Sequence, residues 1–340
     1  MQENILKMLL KENHKISNSL KIDSTARFYF EVKKQDELID LYKFINKNEI
    51  KYLVLGEGTN LVPPDFFDGI VIKPKFNEVL HDSNNKIINV GASVNWHKLV
   101  NICIEKNIYG FENLSLIPGT VGAAPIQNIG AYGQEVSNLI DAINCFDIET
   151  GEFKTLSNSS CKFKYRNSIF KNNSLLVISV DFKTDCKKEF NIQYNSITKY
   201  MDKISFNKNN LSLETLSNLI CDIRNKTLPD PNIVPNAGSF FKNAEVKISE
   251  IDDSEFSLDE LIIWDIGNNK VKVGSARLIE LVKDRIPKSK NVEIYKNHAL
   301  VLVTNASATQ DEVLEYANAI IKIVKKVFNI ELQIEPTLVK

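Results

Sequence analysis

The sequence has few of the features that mark secreted, membrane-bound or metal-binding proteins, beginning with cysteine. Its 340 residues include five cysteines, an odd number, and none of them forms a Cys-x-x-Cys pair. Such scattered thiols are typical of buried, reduced side chains, whereas disulfide frameworks and zinc sites use paired cysteines at recurring spacings. We therefore expect no disulfide and no metal site. The positions are Cys103, Cys145, Cys161, Cys186 and Cys221.

An excess of one charge and long apolar runs are also absent. The formal net charge is −1, from 42 basic and 43 acidic residues, which predicts no overall attraction to nucleic acid or to an anionic membrane. Glu3, Lys7, Lys11 and Glu12 interrupt the apolar residues of the first segment, so we expect no signal peptide and no membrane insertion. A hydrophobic content of 43% is typical of a globular protein, and we expect it in the cytoplasm.

Glycine is concentrated in the first half of the chain. Four of the 13 glycines fall in the stretch Leu116–Gly133, together with two prolines. Small residues let a backbone approach a ligand closely, and successive main-chain N–H groups can form an anion site that suits a diphosphate. Taken alone, the stretch fits a tight Pro/Gly turn around a strand better than a phosphate site, because glycine loops are common. Its spacing matches neither the Rossmann nor the P-loop pattern.

A second glycine turn favours the phosphate hypothesis. Residues 52–60 predict a short buried strand that runs into the polar turn Gly-Glu-Gly-Thr-Asn. Both glycine-rich segments lie before Gly133, so we place a large phosphorylated ligand in the first half of the chain.

Hydrophobic periodicity predicts a mixture of helices and strands. The polar segment 193–205 is predicted to be a loop, which is an ordinary surface connection unless it covers a site. Leu228-Pro-Asp-Pro231 ends a helix and marks a domain boundary. Strands are expected at 27–32, 52–55, 70–72, 87–90, 139–147, 175–182 and 299–303, and helices at 36–47, 94–106, 211–226, 276–284 and from 310 onward.

The C-terminal segment changes from a helical period to a period of two. Thr309 and Glu312 form a capping box at the start of the last helix. Apolar and polar residues then alternate from Ile330 to Glu335, which predicts a strand that Pro336 ends. Glu335 would point away from the apolar face of this strand, toward solvent or a cleft.

Five motifs occur in order along nearly the whole chain: Gly56-Glu-Gly-Thr-Asn60, Ile117 to Gly133, Tyr165-Arg-Asn-Ser-Ile-Phe-Lys171, Asn236-Ala-Gly-Ser-Phe-Phe-Lys-Asn243 and Ile334-Glu-Pro336. Together they closely resemble the UDP-N-acetylenolpyruvoylglucosamine reductases, the MurB family of FAD enzymes in peptidoglycan precursor synthesis. The resemblance implies an α+β fold, with an FAD-binding module of the vanillyl-alcohol oxidase (PCMH) type in two subdomains and an α/β substrate domain. It implies that residues 1–74, completed by 326–340, form the first subdomain, 75–225 the second, and 226–325 the substrate domain.

The same resemblance implies the reaction, the reduction of UDP-N-acetylglucosamine enolpyruvate to UDP-N-acetylmuramate. NADPH reduces non-covalently bound FAD, hydride passes to the enolpyruvyl group, and the adjacent carbon takes a proton. By resemblance, Ser239 donates that proton, Arg166 binds the substrate carboxylate, and Glu335 is the third catalytic residue. A glutamate beside a dianionic intermediate must be protonated, so we expect a raised pKa for Glu335 in the complex.

Without the resemblance, two of these residues have simpler interpretations. Ser239 would be a serine in a turn, and Arg166 would belong to a surface ion pair. The chain has no Gly-x-Ser-x-Gly elbow, so a serine hydrolase is not supported.

The resemblance further implies which residues bind the two ligands. Tyr194 matches a subclass in which a tyrosine loop caps the substrate, and Lys226 is displaced by one position from the lysine usual before the Leu-Pro-Asp-Pro stop. The sugar nucleotide is expected to contact Tyr194, Lys226, Lys242 and Asn243. The residues expected to bind FAD, chiefly its diphosphate, are Gly56, Glu57, Gly58, Thr59, Asn60, Pro118, Gly119, Thr120, Val121, Gly122, Ala123, Gln127, Asn128 and Gly130.

Two rival hypotheses stay open at this point. The chain could be another FAD-dependent oxidoreductase on the same module, which rapid oxygen consumption with an alcohol substrate would favour. It could instead be a non-catalytic nucleotide-sugar or flavin-binding protein, which tight ligand binding without NADPH consumption would favour. Under every hypothesis the partners are small molecules, and no protein partner is implied.

Overall fold

The computed structural model describes residues 10–172 and 174–340. Their contacts form two compact units, each assembled from separated segments of the chain. The first unit contains residues 10–14, 26–57 and 68–226, and the second contains residues 15–25, 58–67 and 227–340. The expected division into three domains stays a prediction. Among the residues described, no helix is both long enough and apolar enough to cross a membrane.

Both units contain strands and helices. The helices are α1 Asp36–Asn48, α2 Trp96–Glu105, α3 Asn195–Lys203, α4 Leu213–Thr227, α5 Ser275–Leu281 and α6 Gln310–Phe328. The strands are β1 Lys11–Lys15, β2 Thr25–Val32, β3 Lys51–Val54, β4 Leu61–Val62, β5 Phe66–Pro74, β6 Val79–Asp82, β7 Ile87–Gly91, β8 Gly130–Ala131, β9 Gln134–Glu135, β10 Ile140–Asp147, β11 Glu152–Ser157, β12 Leu175–Lys183, β13 Asn236–Ser239, β14 Ala244–Lys247, β15 Ile263–Gly267, β16 Lys270–Val273, β17 Val292–Ile294, β18 Val301–Thr304 and β19 Thr337–Leu338.

The first unit contains two larger sheets. One has the strand order β1-β2-β5-β3, and its β3 and β5 are parallel. Helix α1 packs on this sheet through Leu38, Leu41 and Ile45, which lie at helical spacing and are buried with Phe30 and Ile72. The predicted alternation of short strands with an amphipathic helix is confirmed here.

The second sheet of this unit has the order β11-β10-β12-β7-β6, and each strand is antiparallel to its neighbours. Helix α2 buries Trp96, Leu99 and Val100 in the adjoining core, where the Trp96 ring meets Phe111 and Phe182. Val121 and Ala124 of the long glycine stretch are buried in the same core, so this core supports the stretch.

The loop predicted for residues 193–205 is wrong, because α3 occupies most of it. Ile197 and Met201, four residues apart, are fully buried against Leu216 and Ile220 of α4. Polar residues occupy most of the other positions of this helix, and two apolar residues give too weak a period to recognise. Packing on α4 therefore determines the conformation of this segment.

The second unit combines two three-stranded sheets with α5 and α6. The sheet orders are β13-β18-β17 and β14-β16-β15, and β4 pairs in parallel with β19. The predicted capping box of α6 is confirmed, since the Thr309 N–H donates to the Glu312 carboxylate at 3.0 Å and the Glu312 N–H donates to the Thr309 hydroxyl at 3.3 Å.

The strand predicted from Ile330 to Glu335 is also wrong. Burial alternates there as expected, but the segment makes only an isolated bridge, between Phe241 and Ile334, among the residues described. Pro336 does not end a strand either, because β19 begins directly after it. Glu335 is only 7% exposed, which fits the expected position in a cleft better than one in open solvent.

Candidate active site

The two glycine-rich turns meet in the first unit. A Cβ atom on Gly56 would lie 3.1 Å from Thr120 Oγ1 and 3.4 Å from Ala123 Cβ. At the next residue of the turn, the Asn95 side-chain amide donates to the Glu57 carboxylate at 3.3 Å. The two glycine-rich turns are therefore in contact although they are far apart in the sequence, and the main chain of Gly56 lies close to the side chains of the second turn.

Residues 118–123 are held by hydrogen bonds to the segment around the start of α2. The Trp96 N–H donates to the Gly119 carbonyl at 2.9 Å, and the Gly122 N–H donates to the Ala92 carbonyl at 2.9 Å. A Cβ on Gly122 would lie 2.6 Å from that of Ala92, a distance that no side chain tolerates. Gly122 therefore serves backbone packing, and Gly119, at φ +116°, permits the turn itself.

Asn128 stabilises the end of the same stretch. It is buried with a left-handed backbone, φ +47°. Its amide nitrogen donates to the Glu135 carboxylate at 2.7 Å, and its amide oxygen accepts the Ser137 N–H at 3.1 Å. The side chain of Asn128 thus uses its hydrogen-bonding groups to hold the loop in shape.

Arg166 lies beside this loop in the first unit. Its backbone is left-handed, φ +49°, and its Nη2 atom donates to the Gly130 carbonyl at 2.9 Å. A Cβ on Gly130 would lie 3.3 Å from Arg166 Nη1, so glycine leaves room for the guanidinium group.

Sequence reasoning missed two residues close to Arg166. Tyr132 stacks edge-on against Tyr194, with ring centroids 5.7 Å apart, and its hydroxyl is hydrogen-bonded to the Arg224 side chain. Burial is the main cause that lowers the pKa of Arg224, and the positive charge of Arg166 contributes. The Arg224 Nε atom is buried and has no hydrogen-bond partner among the described residues.

The sequence does carry a signal for Arg224. It lies four residues after Ile220 and so falls on the apolar stripe of the predicted helix, where a cation requires an explanation.

Lys226 lies at the surface of the same unit and contacts α3. Its Nζ atom is 2.5 Å from the Tyr200 hydroxyl and 4.5 Å from the centroid of that ring. Tyr200 also donates to Asp222 at 3.3 Å. Lys226 therefore ties the helix that follows Tyr194 to the end of α4.

The second unit holds the rest of the first glycine turn. Gly58 has φ +71°, and a Cβ there would overlap the Ser17 carbonyl oxygen at 2.1 Å. Its own carbonyl accepts the Ser19 N–H at 3.0 Å, and the Asn60 carbonyl accepts the Thr337 N–H at 3.0 Å. These contacts fix Gly58, Thr59 and Asn60 against residues 15–25 and the C-terminal strand.

Ser239 and Glu335 are neighbours within the second unit. Ser239 ends β13 after Gly238, whose φ of +70° produces the turn expected there. The Glu335 N–H donates to the carbonyl of Phe240, the residue after Ser239, at 2.9 Å. Two candidate catalytic residues that are far apart in sequence thus lie on adjacent main-chain segments.

Lys242 and Asn243 continue this segment. The Lys242 N–H donates to the Gln333 carbonyl at 2.9 Å, and the Asn243 side-chain oxygen accepts the Ser275 N–H at 3.2 Å, at the start of α5. The motif from Asn236 to Asn243 therefore follows one continuous path beside the C-terminal segment that carries Glu335. Arg166 belongs to the first unit, together with Gly56 and the long glycine stretch.

Comparison with known proteins identifies the family. Residues 26–157 match the FAD binding domain family, and residues 230–339 match the C-terminal domain of UDP-N-acetylenolpyruvoylglucosamine reductase. Reductases of that name from Buchnera aphidicola and Amoebophilus asiaticus are 36% and 35% identical to this chain. The alignments cover 95% and 98% of this chain, and 90% and 100% of the relatives. The chain belongs to the UDP-N-acetylenolpyruvoylglucosamine reductase (MurB) family.

A solved relative shows the same fold. The crystal structure of UDP-N-acetylenolpyruvylglucosamine reductase (MurB) from Thermus caldophilus superimposes with a TM-score of 0.63 over 97% of this chain and 100% of that chain, at 19% identity. The MurB resemblance drawn from the five motifs is confirmed. So are the α+β fold with an FAD-binding module, FAD as the cofactor, and the class of oxidoreductase. The tyrosine-loop subclass stays a prediction.

Proposed function

We propose that this MurB-family enzyme reduces UDP-N-acetylglucosamine enolpyruvate to UDP-N-acetylmuramate with NADPH, and that Arg166, Ser239 and Glu335 are its catalytic residues. The observation that carries the assignment of residues is the hydrogen bond from the Glu335 N–H to the Phe240 carbonyl. It supports the proposal because it holds the main chains of the two motifs that carry Ser239 and Glu335 next to each other.

The glycine stretches fit the diphosphate of FAD. Gly56 approaches Thr120 and Ala123 so closely that a side chain would crowd the contact, and the main chain of both turns is held by the hydrogen bonds described above. Preformed main-chain N–H groups at such turns bind phosphate oxygens without reorganisation. When bound, FAD supplies the hydride-transfer chemistry, and the protein supplies position and electrostatics.

Arg166 is proposed to bind the carboxylate of the enolpyruvyl group. Its hydrogen bond to the Gly130 carbonyl uses one of five N–H donors and fixes the plane of the guanidinium group. Arg224 adds a second positive charge close to it. Two neighbouring guanidinium groups repel each other, so this arrangement favours the binding of an anion. The same positive charges would stabilise the extra negative charge that develops on the substrate in the transition state.

Ser239 is proposed to hold the proton that the substrate carbon receives. A hydroxyl is a weak acid, but the carbon of an enolate is basic enough to take its proton. Glu335, with 7% of its surface exposed, is proposed to stay protonated beside the charge of the substrate, because two anions in a poorly solvated place would repel each other.

Tyr194, Lys226, Lys242 and Asn243 are proposed to bind the sugar nucleotide. The Tyr194 side chain is 46% exposed although its ring contacts Tyr132, and an exposed aromatic ring can cover the uridine group and exclude water. Helix α3, packed on α4, provides a firm base for this tyrosine. A UDP-sugar and NADPH are intracellular metabolites, which supports the proposal that the enzyme works in the cytoplasm.

The direct test is a product assay with the purified enzyme, NADPH and the enolpyruvyl sugar nucleotide. We expect one UDP-N-acetylmuramate, identified by mass, for each NADPH oxidised. Tyr194→Ala should raise KM for the sugar nucleotide about fivefold or more with little change in kcat, since the loss of one aromatic contact is worth about 1 kcal/mol or more. NADPH oxidation that consumes oxygen and yields no such product would instead support a different FAD-dependent oxidoreductase.

A further inference from the structure

Lys73 lies directly behind the first glycine turn. It is the residue before the last of β5, between the buried residues Ile72 and Pro74. The Leu55 N–H donates to the Ile72 carbonyl at 2.9 Å, which extends the pairing of β3 with β5 to the start of the turn. Just beyond this pairing, the Lys73 ammonium group donates a hydrogen bond to the carbonyl of Gly56, in the turn that follows β3.

The partner of its ammonium group distinguishes Lys73 from Lys75, the next lysine along the chain. Lys75 pairs with the Glu31 carboxylate at 3.2 Å, whereas the hydrogen bond described for Lys73 goes to a neutral carbonyl. Burial is the main cause that lowers the pKa of Lys73, and the charge of Lys75 adds to it, whereas the carboxylates of Glu57 and Glu31 oppose this shift without reversing it. A partly buried ammonium group loses hydration, and this cost is offset best where an anion comes close.

The hydrogen bond also fixes the direction of a main-chain donor. The C=O and N–H groups of a trans peptide point in opposite directions. Because Lys73 holds the carbonyl of Gly56, the N–H of Glu57 points away from Lys73. The turn lies against Thr120 of the second glycine stretch, so the donor belongs to the turn that we assign to the diphosphate.

We propose that Lys73 is a positioning residue of the FAD diphosphate site. Its ammonium group orients the peptide between Gly56 and Glu57, and its charge attracts the diphosphate from behind the turn. This inference rests on the proposed function, and it assigns a role to a residue outside the five motifs.

The test compares the release of FAD from three holoenzymes, the wild type, Lys73→Met and Lys75→Met. Each is diluted and FAD fluorescence is followed at several salt concentrations. Methionine keeps the length of the side chain and removes both the donor and the charge. We expect Lys73→Met to bind FAD about tenfold to a hundredfold more weakly, the usual effect of losing a hydrogen bond from a charged group. Its FAD release should also depend less on salt than that of the wild type. Lys75→Met should behave as the wild type.

Lys73→Arg keeps a charge and several donors and should restore most of the affinity for FAD. If circular dichroism shows that Lys73→Met does not fold, Lys73→Gln replaces it in the test, because glutamine keeps a hydrogen-bond donor and lacks the charge. Lys73→Gln should also release FAD faster than the wild type. FAD release from the folded Lys73 variants at the wild-type rate and with the wild-type salt dependence would overturn the inference and leave the proposed function intact. A wild-type protein that holds no FAD would contradict the proposed function itself, and this inference with it.

Discussion

At the scale of single residues, the proposed chemistry depends on a serine at a turn. Gly238 has a left-handed backbone, and its N–H donates to the Asn236 side chain at 2.8 Å. This turn directs the chain so that Ser239 is only partly buried while Phe240 and Phe241 are fully buried after it. The two phenylalanines anchor the segment, and the serine is left at its accessible edge.

We predict that Ser239→Ala lowers turnover by about 10²- to 10⁴-fold, the usual range for the loss of a general acid. Reduction of the enzyme by NADPH should be unchanged, because that step does not use the Ser239 hydroxyl. Stopped-flow absorbance separates the two steps. The exposed Ser307 of the same unit provides the control, and Ser307→Ala should keep full activity. Full turnover by Ser239→Ala with flavin bound would remove the proton-donor role.

Glu335 allows a similarly matched comparison. We predict that Glu335→Gln lowers turnover about 100-fold or more, since an acid that hydrogen-bonds the developing charge is lost. Glu331 lies four residues earlier, is exposed, and should tolerate Glu331→Gln without effect. Steady-state kinetics with both variants measures the difference. Equal activities of the two variants would show that Glu335 has a structural role only.

At the scale of elements, the hairpin of β10 and β11 is stabilised by a buried aspartate. The Asp147 carboxylate accepts hydrogen bonds from Lys154 Nζ at 2.7 Å, the Ser174 hydroxyl at 2.6 Å and the Glu149 N–H at 3.0 Å. Burial acts to raise the pKa of Asp147, but these bonds outweigh it and lower the pKa to about 2. The folded protein therefore favours the ionised form.

Stability should follow the titration of this group. Because the pKa of Asp147 is lower in the folded state, its contribution is complete above pH ~4 and is lost as the pH falls toward ~2. We predict that Asp147→Asn lowers the free energy of unfolding by about 2 kcal/mol at neutral pH, given about 1.4 kcal/mol per pKa unit. Urea denaturation at several pH values measures this. The exposed Asp141 on the same strand is the control. A destabilisation by Asp147→Asn that persists undiminished at pH ~2 would contradict the account.

The elements also show how far periodicity predicts the fold. α1, α2 and α6 were predicted because apolar residues recur at helical spacing over three or more turns. Helix α3 was missed because it buries only Ile197 and Met201. The segment after Ile330 shows a strand-like alternation of burial, but strand pairing depends on a partner that the local sequence does not reveal.

At the scale of the whole molecule, the two units are built from interleaved segments. In the second unit the Thr304 hydroxyl donates to the Leu20 carbonyl at 2.5 Å, and the Gln310 side chain donates to the Val62 carbonyl at 2.8 Å. Such contacts join residues 15–25 and 58–67 to the C-terminal half. Periodicity and turn chemistry are local signals, so they could not predict this assembly.

The candidate site was predictable to the extent that motifs carried it. The glycine turns, Arg166 and Ser239 lie in segments whose residue order resembles one family. Arg224, Tyr132 and Lys73 lie outside those motifs or carry no special role in them. Their importance is visible only from burial and from the groups they contact.

The central claim is that one protein takes hydride from NADPH and delivers it to the enolpyruvyl sugar nucleotide. The most direct test is the absorbance spectrum of the purified protein under anaerobic conditions, recorded alone, after NADPH, and after the sugar nucleotide is added. We predict the bands of oxidised flavin, their bleaching by NADPH, and their return only with the sugar nucleotide. A colourless protein that takes up no FAD, or a bleached flavin that recovers with oxygen but not with that substrate, would contradict the account.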